Sequence, residues 1–141
     1  MSETTSVPAA GSPMPDITLT GAAGETTTLD ALRGGQRSVV FFLRASTCAI
    51  CLGHVRAIAE LALPTIFVTP GDAAQAAEAT MRSGATVWGS GDGHAEVGLG
   101  TFLAIQHSGT FLVAADGAVE YAKTSTLPMG SFSKSELEAA L

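Results

Sequence analysis

The chain contains two cysteines, and they stand three residues apart as Cys48-Ala49-Ile50-Cys51. Residues 39–43, Val-Val-Phe-Phe-Leu, precede them as an unbroken apolar run that reads as a strand buried on both faces. The residues after them carry an amphipathic pattern that Pro64 closes, so the pair lies at a strand-to-helix junction. Amide groups of a first helical turn have no partner within the helix and stabilise negative charge on a thiolate. Positions i and i+3 of a helix sit about 60° apart around its axis and roughly 4.5 Å along it, so one turn brings the sulphurs together. A disulfide across so small a ring constrains the unfolded chain little. The spacing therefore predicts a reversible dithiol and disulfide rather than a structural staple.

Four neighbours bear on that chemistry. Arg44 ends the strand four residues before Cys48, where a fixed positive charge would stabilise a thiolate or a bound peroxide; otherwise it is a solvated loop residue. Ser46 and Thr47 are expected to cap the helix, with Thr47 alternatively bonding the Cys48 sulphur. His54 extends the motif to Cys-x-x-Cys-x-x-His. Two cysteines and one histidine are an incomplete zinc set, and the pattern is not that of covalent haem attachment.

The whole chain bounds what such a site can serve. A length of 141 residues suits one domain, and 46% hydrophobic with 14% charged residues suits a globular core. No apolar run approaches membrane-spanning length. Thirteen acidic against seven basic residues, a net charge of −6 and no basic run argue against nucleic acid. Residues 1–6 lack the basic and apolar regions of a signal peptide, so the expected location is cytoplasmic. In a reducing compartment a lone Cys-x-x-Cys points to catalysis, sensing or metal.

Residues 1–12 have no periodicity and are expected to form a disordered tail, with one domain over 13–141. Alternating runs at 17–19 and 25–29 around glycines predict an N-terminal β-hairpin, with Asp30 capping a short turn that ends at Arg33-Gly34-Gly35. Residues 65–69 form a second strand. Asp72 to Gln75 opens an alanine-rich helix with a capping box, and residues 85–88 suggest a short edge strand. The glycine-rich stretch 89–93 lacks a phosphate-loop signature and reads as a connector. Two runs flanking Asp116-Gly117 predict a second hairpin, and Ser133 to Glu136 caps a final helix. This order implies an α/β domain with a mixed central sheet covered on both faces.

The chain resembles the peroxiredoxin-like (AhpC/TSA, or redoxin) family of the thioredoxin fold, in its Cys-x-x-Cys-containing branch. Pro13-Met14-Pro15-Asp16, Gly24 and Thr28-Leu29 are similar to the family's opening, and Phe111 to Gly117 to its apolar strand and aspartate-glycine hairpin. Aligned on Phe41-Phe42, Arg44 stands at the peroxidases' motif proline, Cys48 at their threonine, Cys51 at the peroxide-reactive cysteine and Ser108 at their later arginine. Gly109-Thr110 stands where thioredoxins hold Pro-Thr.

The resemblance implies a thioredoxin-like fold and a thiol-disulfide oxidoreductase or thiol peroxidase without a bound cofactor. Its substrate would be a peroxide or a disulfide and its electron donor a cellular dithiol; a homodimer is among the assemblies it implies. The expected site is Cys48, Cys51, Arg44 and Thr47, with Cys48 the exposed nucleophile and Cys51 resolving, or Cys51 attacking peroxide and Cys48 condensing with the sulfenic acid. The alternative is a soft-metal carrier, such as a copper-delivery protein, using both thiols with His107 or His54.

Overall fold

The computed structural model describes residues 7–141. Among these residues seven strands make one mixed sheet, in the order β2 (Thr26–Thr28), β1 (Thr18–Thr20), β5 (Val87–Gly89), β4 (Thr65–Thr69), β3 (Ser38–Phe42), β8 (Ser108–Val113) and β9 (Val119–Ser125). Its centre is β3 (Ser38–Phe42), with every residue buried, between β4 (Thr65–Thr69), which runs parallel to it, and β8 (Ser108–Val113), which runs antiparallel. β5 (Val87–Gly89) extends the parallel part beside β4, and β9 (Val119–Ser125) closes the other edge. The N-terminal hairpin, β1 (Thr18–Thr20) and β2 (Thr26–Thr28), joins antiparallel through the Thr20–Gly89 pair. β5 is therefore an interior strand and not the expected edge, because the hairpin covers it. A local pattern cannot report that pairing.

Alternate residues of β3 point to opposite faces, and each face buries its own core. Val39 and Phe41 pack with Leu43, with Val55 and Ile58 of α2 (Ala49–Ala59), with Ala79 of α3 (Ala73–Ser83) and with Leu137 of α4 (Lys134–Ala140). Val40 and Phe42 pack with Leu19, with Leu29 of α1 (Leu29–Arg33), and with Val97 of a 3-10 turn at Gly93–Val97. The sheet is thus covered on both faces.

Capping chemistry sets the helix limits. Asp72 and Gln75 form the reciprocal capping box of α3, and Gly84 ends it in the left-handed region. Thr28, not Asp30, caps α1: its side chain accepts the Ala31 amide, while Asp30 pairs with Arg33 at 2.9 Å. Gly89 lets the chain pass closely, since a Cβ there would lie 2.6 Å from the Gly71 carbonyl oxygen. Residues 101–106 fold as a separate hairpin of β6 (Thr101–Phe102) and β7 (Ile105–Gln106). Of the segment expected to form a tail, residues 1–6 lie outside the described residues. Beyond them, Gly11 donates its amide to the Val119 carbonyl at 2.8 Å, and Val119 returns one to Ser12.

Candidate redox site

Residues 43–48 carry the chain from the end of β3 to the start of α2, and both sulphurs lie at that corner. Cys48 is itself the N-cap of α2. Its Sγ accepts the Cys51 amide at 3.3 Å, and its carbonyl accepts the Leu52 amide. The capping expected of Ser46 and Thr47 is therefore performed by the thiol. Thr47 is exposed, and Ser46 turns inward to donate its hydroxyl to Glu78 Oε1 of α3 at 2.7 Å. That bond ties the loop before the motif to a neighbouring helix, a tertiary contact with no local signature.

Both thiols are free and buried; Cys48 is 4% exposed and Cys51 fully covered. The expectation of an exposed Cys48 is corrected by this packing, in which Cys48, Leu52 and Leu43 share one apolar cluster. Burial, reinforced by the neighbouring Cys48 thiol, pushes the Cys51 thiol up to about 12. The Arg44 amide, which donates to Cys51 Sγ at 3.3 Å, and the Arg44 positive charge pull the other way without offsetting it. Arg44 thus reaches the pair through its backbone as well as its charge.

The candidate metal ligands diverge. His54 Nε2 lies 3.0 Å from the Pro128 carbonyl and its ring packs edge-on to Phe41 at 5.8 Å, while His107 Nε2 lies 3.3 Å from Thr126 Oγ1. Among the described residues no three His, Cys, Asp or Glu side chains come together as a metal site.

A third histidine, which no sequence motif marks, bonds to the strand end just before the thiol pair. His94 is 1% exposed, and its Nε2 lies 2.8 Å from the carbonyl oxygen of Leu43, the residue before Arg44. A carbonyl only accepts, so Nε2 carries the proton; Nδ1 is then the acceptor for the Ser90 hydroxyl at 2.7 Å. Burial pushes His94 down to about 4, against a smaller raising effect of the Leu43 bond, and the ring is neutral at neutral pH. Its only sequence signal is a histidine within an otherwise small and polar loop. Ser108 is buried on β8, one step beyond the Phe42–Gly109 pair, and its hydroxyl has no hydrogen-bond partner among the described residues.

No family model matches the sequence, and a search of the curated proteins finds no match. Solved structures do match. A thiol peroxidase from Chromobacterium violaceum superposes with a TM-score of 0.76 at 12% identity, over 96% of this chain and 87% of its own. A peroxiredoxin-like protein from Aquifex aeolicus gives 0.74 at 9%, over 98% and 91%. Peroxidoxin BcpB from Mycobacterium tuberculosis gives 0.68 at 19%, over 94% of both chains. With a Cys-x-x-Cys at the β3–α2 corner of a sheet covered on both faces, the chain has the peroxiredoxin-like form of the thioredoxin fold.

Proposed function

We propose that the protein is a thiol-dependent oxidoreductase that cycles Cys48 and Cys51 between dithiol and disulfide, reducing a peroxide or a disulfide at the expense of a cellular dithiol. The observation that carries this reading is the bonding of the sulphurs: Cys48 Sγ receives the Cys51 amide at the N-terminus of an 11-residue helix, while Cys51 is sealed beneath it. Cys48 is the nucleophile, because a helix N-terminus favours negative charge on its sulphur and burial holds the proton on Cys51.

With a disulfide substrate, the Cys48 thiolate attacks one sulphur, forms a mixed disulfide and expels the other half as a thiolate. Cys51 then loses its proton to solvent and attacks Cys48 Sγ, which closes the internal disulfide and releases the second thiolate. With a hydroperoxide, Cys48 takes the terminal oxygen as a sulfenic acid and the alcohol or water leaves. Cys51 displaces water from that sulfenic acid to give the same disulfide. An external dithiol resets the pair. Arg44 supports both routes through its charge and its amide, the exposed Thr47 stands next to Cys48 in the chain, and entry requires the packing around Cys48 to open. The fold and the bonding of the two sulphurs support this reading.

Reduced protein is mixed with hydrogen peroxide or a small disulfide and followed by Trp88 fluorescence and intact mass, with C48S and C51S alongside. Expected are loss of two hydrogens in the wild type, a trapped adduct on Cys48 in C51S and no reaction in C48S. Adducts on Cys51 in C48S would reverse the roles, and a wild type inert to both oxidants would overturn the reading.

A further inference from the structure

We propose that His94 is a positioning residue for the thiol pair, acting through the Leu43–Arg44 peptide to set how strongly the Arg44 amide binds the Cys51 sulphur. This rests on the redox reading above. The Leu43 carbonyl and the Arg44 amide are the two ends of one peptide group. The carbonyl accepts His94 Nε2–H at 2.8 Å, and the amide donates to Cys51 Sγ at 3.3 Å. The chain of donors thus runs from the Ser90 hydroxyl to His94, from His94 to the Leu43 carbonyl, and from the Arg44 amide to Cys51 Sγ; the Cys51 backbone amide separately donates to Cys48 Sγ.

Two physical effects follow from that connection. The imidazole cannot turn, because Ser90 holds Nδ1 and the ring meets Phe42 edge-on at 5.1 Å, so it fixes the plane of the peptide and the aim of its amide. A hydrogen bond to a carbonyl also polarises its peptide and strengthens the bond made by the amide at the other end, by roughly 10–30%. Both effects act on Cys51 when it must lose its proton to close the disulfide. The charged group bearing on Cys51 besides Cys48 is Arg44, and the Ser46–Glu78 bond anchors the same loop from α3.

The test reads disulfide closure in a single turnover. Cys48 is loaded with an aromatic thiol as a mixed disulfide, and release of the coloured thiolate reports attack by Cys51. Three proteins are compared at neutral pH: wild type, His94→Leu, and His94→Gln, whose side-chain amide can still donate to the Leu43 carbonyl. Folding of each is checked by circular dichroism. Closure up to about twofold slower in His94→Leu, restored in His94→Gln, is expected from the lost polarisation. Closure at the wild-type rate in a folded His94→Leu would overturn the proposal.

The unaltered protein supplies a second readout, which decides if His94→Leu does not fold. The buried Nε2 proton of His94 should give a downfield resonance that moves when Cys48 and Cys51 are oxidised; a resonance indifferent to oxidation overturns the proposal. Should the wild type fail to close a disulfide, the redox reading itself fails, and the resonance is compared instead between wild type and Cys51→Ser. Movement there supports the connection, and its absence refutes it.

Discussion

His94 should make the protein lose stability in mild acid by an amount that can be worked from the structure. Its imidazole is buried between the Leu43 carbonyl, which requires Nε2–H, the Ser90 hydroxyl and the edge of Phe42. In the unfolded chain the ring protonates near 6.5, and in the folded chain only near about 4. Between those values the unfolded state binds one more proton, so stability falls as pH falls. The contribution is complete above 6.5 and lost on passing below 4. A separation of about 2.5 units at 1.36 kcal/mol each amounts to about 3 kcal/mol, a sizeable part of the stability of a domain. The assay is urea unfolding at a series of pH values between 7 and 4, in wild type and His94→Gln, followed by the fluorescence of Trp88. Carboxylates titrate in both proteins and cancel in the difference. The wild type should lose about 3 kcal/mol more than His94→Gln across that window. Parallel curves would refute the reasoning, for they would mean that His94 protonates as easily folded as unfolded.

Three further outcomes follow from the same geometry. Because Cys48 Sγ caps α2, Cys48→Ala should lower the stability of the reduced protein by about 1 kcal/mol while Cys48→Ser, which keeps an acceptor, should not; thermal unfolding of both variants checks it. Cys51 responds to pH in the opposite sense to His94. Its thiol ionises near 9.0 unfolded and at about 12 folded, so its contribution is present below 9 and fades as pH rises toward 12. Denaturant unfolding between pH 8 and 10 should therefore show a steeper alkaline loss in wild type than in Cys51→Ala. Gly89→Ala places a methyl 2.6 Å from the Gly71 oxygen and 2.8 Å from the Asp72 oxygen, both backbone atoms, and should cost about 1–3 kcal/mol in the same measurement.

What the sequence determined by itself was whatever is written in neighbouring residues. The buried strand over 39–43, the helix opened by Asp72 and Gln75, the hairpin around Asp116-Gly117 and the placing of Cys48 and Cys51 at a strand-to-helix corner all rest on side-chain periodicity, capping and turn chemistry, which act over a few residues. The tertiary structure decided what depends on contacts between distant segments. Interior β5 owes its place to the N-terminal hairpin, and the seclusion of Cys48 to packing among Leu43 and Leu52. Ser46 reaches Glu78 across 32 residues, and His94 reaches Leu43 across 51. The divergence of His54 and His107 to Pro128 and Thr126 is of the same kind. A residue's partners over such separations follow from how the sheet brings strand ends together. So the thiols and Arg44 could be named from their spacing, whereas the burial of Cys51 and the bond from His94 behind it became visible only once the chain was folded.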